Sequence, residues 1–304
     1  MTTHSADDSS AARWSGKALF AVVVWGASFV ATRMALETFT PYGLTATRLV
    51  VSGAAMLALA RFSGRAIVPR GDRRVCVVLG AIGAVHLFIQ AHGLMHTSAV
   101  RTGWIIGFIP VTIALGARVF LKQRLSSAAW LGVAIATGGI TLIMLQQVRE
   151  FVNASFGDML QLSSCLTWTA HTLISAGPVR RNGPLTVTAF VTALSAVLMA
   201  PMAIFGGPLL AGAVTPRAVG ALLFLGVICG GVAYYCWYAA LTEHGAARTG
   251  SYLYLEPFVT WAVARRALQE TVSVRTILGG CLILLGVYTI ARARQRLAER
   301  AGED

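Results

Sequence analysis

Apolar runs long enough to cross a bilayer recur along the whole chain, separated by short polar punctuation. Their approximate extents are 15–35, 42–61, 74–95, 99–120, 128–146, 157–176, 185–205, 218–240, 247–267 and 275–292. A helix needs roughly 20 apolar residues to cross the ~30 Å hydrocarbon layer. A barrel strand would instead alternate lipid-facing and lumen-facing residues over about ten positions. The runs are continuous, so they predict an all-α integral membrane protein with ten transmembrane helices.

Composition agrees with that solvent. With 56% hydrophobic and only 12% charged residues, and a mean hydropathy of +0.68, the chain has too little polar surface to cover a water-soluble globule. Charge then orients it, because Lys and Arg are retained on the cytoplasmic side. With both termini cytoplasmic, the cytoplasmic segments carry seventeen of the 25 basic residues, Arg61, Arg65, Arg70, Arg73 and Arg74 forming the largest group. The opposite side carries seven, with Arg265, Arg266 and Arg275 running against the rule, and Arg48 lies inside a span. The net charge of +13 follows from topology and from contact with anionic lipid, and no nucleic-acid partner is needed to explain it. A multi-pass protein of the cell membrane is expected.

The chain also repeats itself. Ala99-Val100-Arg101-Thr102-Gly103 returns as Ala246-Ala247-Arg248-Thr249-Gly250, a shift of 147. At the same shift Pro110 falls on Pro257, Arg118 on Arg265, Gly132 on Gly279 and Gly139 on Gly286. Residues 99–143 and 246–290 share 13 identities without a gap, where about a tenth of positions would match by chance. Five spans per copy is an odd number, so the second copy enters the membrane from the other side. The expectation is two inverted five-helix repeats, 13–147 and 155–293, related by an axis in the membrane plane with a substrate site near the midplane. Residues 1–12 read as a disordered cytoplasmic tail and 294–304 as a charged one.

Enzyme chemistry has little support. There is no GxxxxGK[ST] phosphate loop, no Gly-x-Ser-x-Gly elbow and no paired carboxylates. Cys76, Cys165, Cys229, Cys236 and Cys281 sit singly in apolar runs, as small packing residues do. His92 and His96 lie four apart with no further ligand nearby in sequence, so neither a metal site nor a cofactor is expected.

Several segments together resemble the EamA-type branch of the drug/metabolite transporter superfamily. They are Trp25-Gly26-Ala27-Ser28-Phe29-Val30, Thr47-Arg48-Leu49, Leu255-Glu256-Pro257-Phe258, Gly279-Gly280 and Leu284-Leu285-Gly286-Val287. The resemblance covers nearly the whole chain. It implies ten helices, inverted repeats and secondary transport, usually export of amino acids, other metabolites or drugs. The first copy departs from the pattern, with Ile109 in place of the glutamate before Pro110 and Gln123 at the position aligned with Glu270.

Polar residues inside hydrocarbon are costly and mark functional positions. The candidates for substrate binding are Trp25, His86, Gln90, Trp168, His171, Tyr234, Tyr252 and Glu256. Trp104, Trp237 and Tyr238 are read equally as packing between helices or anchoring at the interface. Arg48 is either a functional cation or a snorkelling one; Glu256 is either functional or a satisfied structural acid. Pro110 and Pro257 fall near the middle of equivalent spans, where each frees a carbonyl one turn back, and are read as gating positions. Such a cavity suits a neutral, zwitterionic or lipophilic solute. The leading expectation is an exporter of small metabolites, amino acids or amphipathic compounds, working by alternating access. A nucleotide-sugar or phosphate-ester exchanger of the same fold, and a membrane subunit that transports nothing, stay open, as do protons as coupling ion and a homodimer.

Overall fold

A computed structural model describes residues 15–120, 122, 125–145 and 153–302. The expected tail at 1–12, the aligned Gln123 and the last two residues lie outside the described residues. Helices follow one another from end to end: α1 Gly16–Ala35, α2 Pro41–Phe62, α3 Arg73–His96, α4 Ala99–Ile106, α5 Ile109–Phe120, α6 Ser127–Leu145 and α7 Asn153–Asn182. Then come α8 Pro184–Phe205, α9 Pro216–Leu223, a π-helical segment Phe224–Ala233, α10 Tyr234–Gly250, a 3-10 segment Ser251–Leu255, α11 Glu256–Ala267 and α12 Val274–Gly302. Among the described residues β structure is confined to one isolated bridge, Phe39 with Leu210.

The helix starts are written in the sequence. Ser15, Thr40, Ser98 and Thr215 each accept a hydrogen bond from the backbone amide three residues on, satisfying one of the orphan donors of a helix N-terminus. Pro41 and Pro216 follow their caps directly, where the missing N–H costs nothing.

Seven helical stretches are long and apolar enough to cross a membrane: Gly16–Ala35, Pro41–Phe62, Arg73–His96, Ala99–Phe120, Pro184–Met202, Pro216–His244 and Val274–Ala293. The other three expected runs are helical too, for identifiable reasons less apolar or shorter. The apolar part of α6 is short. The α7 helix buries a polar face, with Asp158, Gln161, Ser164, His171, Thr172 and Ser175 all at most 3% exposed, and packs it against α3 and α5. The run 247–267 is divided among the end of α10, the 3-10 segment and α11, which carries Arg265 and Arg266 in its last turn.

Small residues set the closest helix crossings, as expected where lipid offers no hydrophobic drive for association. A Cβ on Gly139 would lie 2.5 Å from the Gly279 carbonyl oxygen, and one on Gly132 would lie 2.5 Å from that of Gly286. These four glycines let α6 and α12 run backbone to backbone. The π-helical segment approaches α2 in the same way, with Gly226 on Val51, Gly230 on Ser52 and Gly231 on Met56.

Candidate functional site

At the middle of the bundle the broken helices face each other across a cavity of about 30 Å³, room for a water or two. A metabolite would need more room than this. Helix α1 contributes Trp25, Ser28 and Phe29, α2 contributes Arg48, and α3 contributes His86, Leu87 and Gln90. The rest of the lining is Ile106, Ile109, Trp168, Tyr234, Leu253 and Glu256.

The aromatic wall is fixed by backbone chemistry. A π-helical stretch widens the turn and redirects its carbonyls, and two of these are taken up by side chains. The Trp25 indole N–H donates to the Cys229 carbonyl at 3.2 Å, and the Ser52 hydroxyl donates to that of Gly226 at 2.6 Å. Trp25 then stands edge-on to Trp168 and Tyr234, with ring centroids 5.0 and 5.3 Å away, the arrangement that aromatic quadrupoles favour. His86 packs on Trp168 at 5.5 Å, and its Nδ1 lies 2.8 Å from the Thr167 hydroxyl.

Glu256 is positioned by a close crossing. It opens α11, where a carboxylate suits the positive end of the helix dipole. The Thr260 hydroxyl bridges the carbonyls of Glu256 and Gly26, 2.9 Å from each. A Cβ on Gly26 would sit 2.8 Å from the Val259 side chain, so only glycine lets α1 come this near. Glu256 is 3% exposed and Arg48 6%. Among the described residues neither side chain has an ion-pair partner, and neither carries a side-chain hydrogen bond. Two donors at the cavity, Arg48 Nε and Trp168 Nε1, are buried without a partner.

The cavity therefore brings together Trp25, Arg48, His86, Gln90, Trp168, Tyr234 and Glu256. His171 lies one step away. It lines an adjoining cavity of about 20 Å³ with Ser52, Thr188, Thr192, Ser195 and Tyr238, which shares Leu87 and Tyr234 with the first. Tyr252 is placed elsewhere, its hydroxyl accepting from the Ser15 amide at 2.8 Å. Trp104 packs on Gly280 and on Phe258, 5.4 Å between ring centroids, and Trp237 and Tyr238 are buried in the aromatic cluster. Pro110 and Pro257 sit in the first turns of α5 and α11 rather than inside continuous helices. Sequence reasoning passed over Ser28, Phe29, Leu87, Ile106, Ile109 and Leu253 as lining residues. For Ile109 the available signal was the shift of 147, which aligns it with Glu256.

Polar links towards both ends of the bundle each join the first half of the chain to the second. At the end of the bundle where α1 begins, Lys17 pairs with Glu243. Asp72 there accepts from Arg181 at 2.5 and 2.9 Å and from Asn182 at 2.7 Å. These bonds hold the Asp72 carboxyl below the usual carboxylate range. At the other end Asp158 pairs with Arg101 and accepts from the Thr97 hydroxyl at 2.6 Å. Glu270 caps α4 by accepting from the amides of Ala99 and Val100 at 3.1 and 2.9 Å.

Helices long and apolar enough to cross a membrane, packed around a small central cavity, are the architecture of a helical membrane protein. The EamA-like transporter family model matches residues 13–145 and 155–292, and the chain belongs to that family. It is 28% identical over 281 residues to an uncharacterized transporter of Archaeoglobus fulgidus, covering 90% of this chain and 96% of that one. It is 26% identical to a probable terminal-alkyne amino-acid exporter of Streptantibioticus cattleyicolor, over 92% and 95% of the two chains. A solved crystal structure of a protein 20% identical superposes with a TM-score of 0.69, over 93% of this chain and 98% of that one, which speaks for the fold. Family and relatives mark a multi-pass membrane transporter rather than an enzyme.

Proposed function

We propose that the protein is a secondary exporter of small metabolites, amino acids or amphipathic compounds, in the cell membrane. It works by alternating access between two inverted five-helix repeats, 13–147 and 155–293, with ten spans and both termini cytoplasmic. The observation that carries this reading is the cavity wall itself. Ile106 and Leu253 are 147 residues apart, as are Ile109 and Glu256, and all four line one cavity. Helices α5 and α11 keep the same shift at both of their ends. The glycine crossing supports a two-fold relation, because exchanging copies turns the Gly132–Gly286 contact into the Gly279–Gly139 contact, and both are made.

Alternating access requires links between the halves that can be made and broken, and polar links of that kind stand towards both ends of the bundle. Export would proceed by releasing one set of polar links while the other holds. The amino-acid side of the reading gains support from the exporter among the relatives. The phosphate-ester alternative is disfavoured, because Arg48 is the one Lys or Arg lining the cavity among the described residues. The test is flux through the purified chain in liposomes, across amino acids and amphipathic cations. Saturable movement above that of empty vesicles supports the reading, and its absence for every solute refutes it. Introduced single cysteines at 12 and 298, labelled from one side only, test the placement of the termini.

A further inference from the structure

A further cavity of about 140 Å³ lies away from the centre, between the end of α2, the start of α8 and α10. That is several times the share of a single water, room for a group of several heavy atoms. Arg65 lines it from the first half of the chain, and Asn182, Thr186 and Tyr235 line it from the second. Backbone chemistry places its donors. The α2 helix runs out at Gly64, with φ 63°, and the Arg65 amide reaches back to the Ala60 carbonyl at 2.9 Å, the left-handed helix end that glycine permits. That turn fixes where the arginine stem leaves the helix. On the other side α8 begins with Gly183 and Pro184 and has no side-chain cap. Proline brings no amide, so the free donors of this first turn are the amides of Leu185 and Thr186, at the positive end of a 22-residue helix. Thr186 is 5% exposed, and among the described residues its hydroxyl has no hydrogen-bond partner, whereas that of Thr188 donates to the Pro184 carbonyl at 2.8 Å. A buried hydroxyl left unpaired is costly, so one at a cavity wall points to an occupant. Among the described residues Arg65 has no ion-pair partner and no carboxylate lines the cavity. Asp72, which touches Asn182, is already taken by Arg181.

We propose that this cavity binds a phosphate group of net negative charge, as carried by the headgroup of an anionic phospholipid. The Arg65 guanidinium takes the phosphate oxygens as a planar fork. The amides of Leu185 and Thr186 and the Thr186 hydroxyl complete the donor set, at a helix N-terminus suited to an anion. A zwitterionic headgroup fits less well, because its ammonium finds no carboxylate in the wall. Apolar surface beside the donors favours a lipid over a soluble ester. Leu57 and Leu185 stay only partly buried over the Met56, Ala60 and Ala189 cluster, and Phe62, at the end of α2, is 89% exposed. Arg61, Arg70, Arg73 and Arg74 surround the same connection in sequence and draw anionic lipid to this face. A phosphate held here ties the end of α2 to the start of α8, and so one half of the chain to the other.

The test is binding, so it stands or falls apart from transport. The full-length chain is purified in a neutral detergent and depleted of lipid, and its melting temperature is followed as a probe is added, since a ligand of the folded state alone raises it. The probes are dioleoyl phosphatidylglycerol, dioleoyl phosphatidylcholine, glycerol phosphate and inorganic phosphate. Phosphatidylglycerol is expected to stabilise saturably, at about tenfold lower concentration than phosphatidylcholine. Arg65→Gln should weaken its apparent affinity about tenfold, the loss of one charge-assisted hydrogen bond, and Thr186→Val about threefold. Arg61→Gln removes the same charge outside the cavity and should leave the affinity unchanged. Stabilisation by glycerol phosphate or inorganic phosphate, with the same dependence on Arg65 and Thr186, keeps the site and assigns it a soluble source. Three results overturn it: no saturable stabilisation by any probe, equal affinity for the two lipids with no response to the soluble phosphates, or equal losses in Arg61→Gln and Arg65→Gln, which would report diffuse surface charge. Where Thr186→Val does not fold, Arg65→Gln, at an exposed position, decides alone.

Discussion

Ile109 and Glu256 are the first residues of two twelve-residue helices, α5 and α11, that start 147 positions apart in the chain, and both line the central cavity. One copy puts a hydrocarbon side chain there and the other a carboxylate. The duplicated frame is kept while its chemistry differs, which is how two similar halves can produce an asymmetric cavity.

The first prediction follows from that difference. Glu256→Ile gives the second copy the residue of the first. Leaving a buried polar group unsatisfied costs about 1–3 kcal/mol, so removing this one should hold or raise thermal stability in detergent. Transport should fall tenfold or more. Stability and activity moving in opposite directions is the signature of a residue kept for function. A lowered melting temperature would instead make Glu256 a structural acid.

Adjacent glycines on α6 supply the second. A Cβ on Gly139 would press on the Gly279 carbonyl, whereas one on Gly138 meets nothing within 4 Å. Gly139→Ala should destabilise by about 1–3 kcal/mol, the usual cost of overpacking. Gly138→Ala should be neutral or stabilising by up to about 1 kcal/mol from helix propensity. Gly286→Ala, at the equivalent position in the second copy, should match Gly139→Ala. Melting temperatures of the three variants decide it, and a Gly286 variant behaving like the Gly138 one would break the proposed symmetry.

These examples show how far the sequence can be read. The shift of 147 foretold which positions correspond, and the cost of polar groups in hydrocarbon picked out Arg48, His86 and Glu256 because such residues need a reason to be there. Apolar lining residues such as Ile106 and Leu87 carry no such mark, since leucine and isoleucine suit lipid, core and cavity alike. Tyr252 satisfied the helical spacing to Glu256. The 3-10 segment between Ser251 and Leu255, however, turns residues by about 120° rather than 100° each, so positions four apart no longer share a face. The π-helical segment was hidden for a similar reason. Gly226, Gly230 and Gly231 could be seen in sequence, but their effect depends on what α2 presents to them.

The third prediction concerns the link at the end of the bundle where α1 begins. Arg181 holds the Asp72 carboxyl below its ordinary range. A carboxylate with a depressed pKa in the folded state contributes stability above its unfolded value, and that contribution is lost as pH falls through the folded one. Asp72→Asn should therefore lower the melting temperature at pH 7 and at pH 5 by similar amounts. The difference from the unsubstituted protein should shrink only below about pH 4, the ordinary range of an aspartate. A difference that disappears already between pH 7 and 5 would show that another group controls this end.

The prolines give the last prediction. Pro110 and Pro257 occupy the first turns of α5 and α11, where a proline costs a helix little, so their removal should not unfold the protein. What each one does is prevent the helix before it from running on. In the second copy that preceding stretch is already the tighter 3-10 segment, and in the first it is the short α4, which ends at Ile106. Pro110→Ala and Pro257→Ala restore a backbone donor and permit a continuous helix past the cavity. If the breaks are the hinges of alternating access, both variants should melt at the temperature of the unsubstituted protein while turning over several-fold more slowly, with apparent substrate affinity changed less than rate. Unchanged turnover in both, at equal amounts of protein in the membrane, would remove the prolines from the transport cycle and leave them as markers of where the duplicated helices begin.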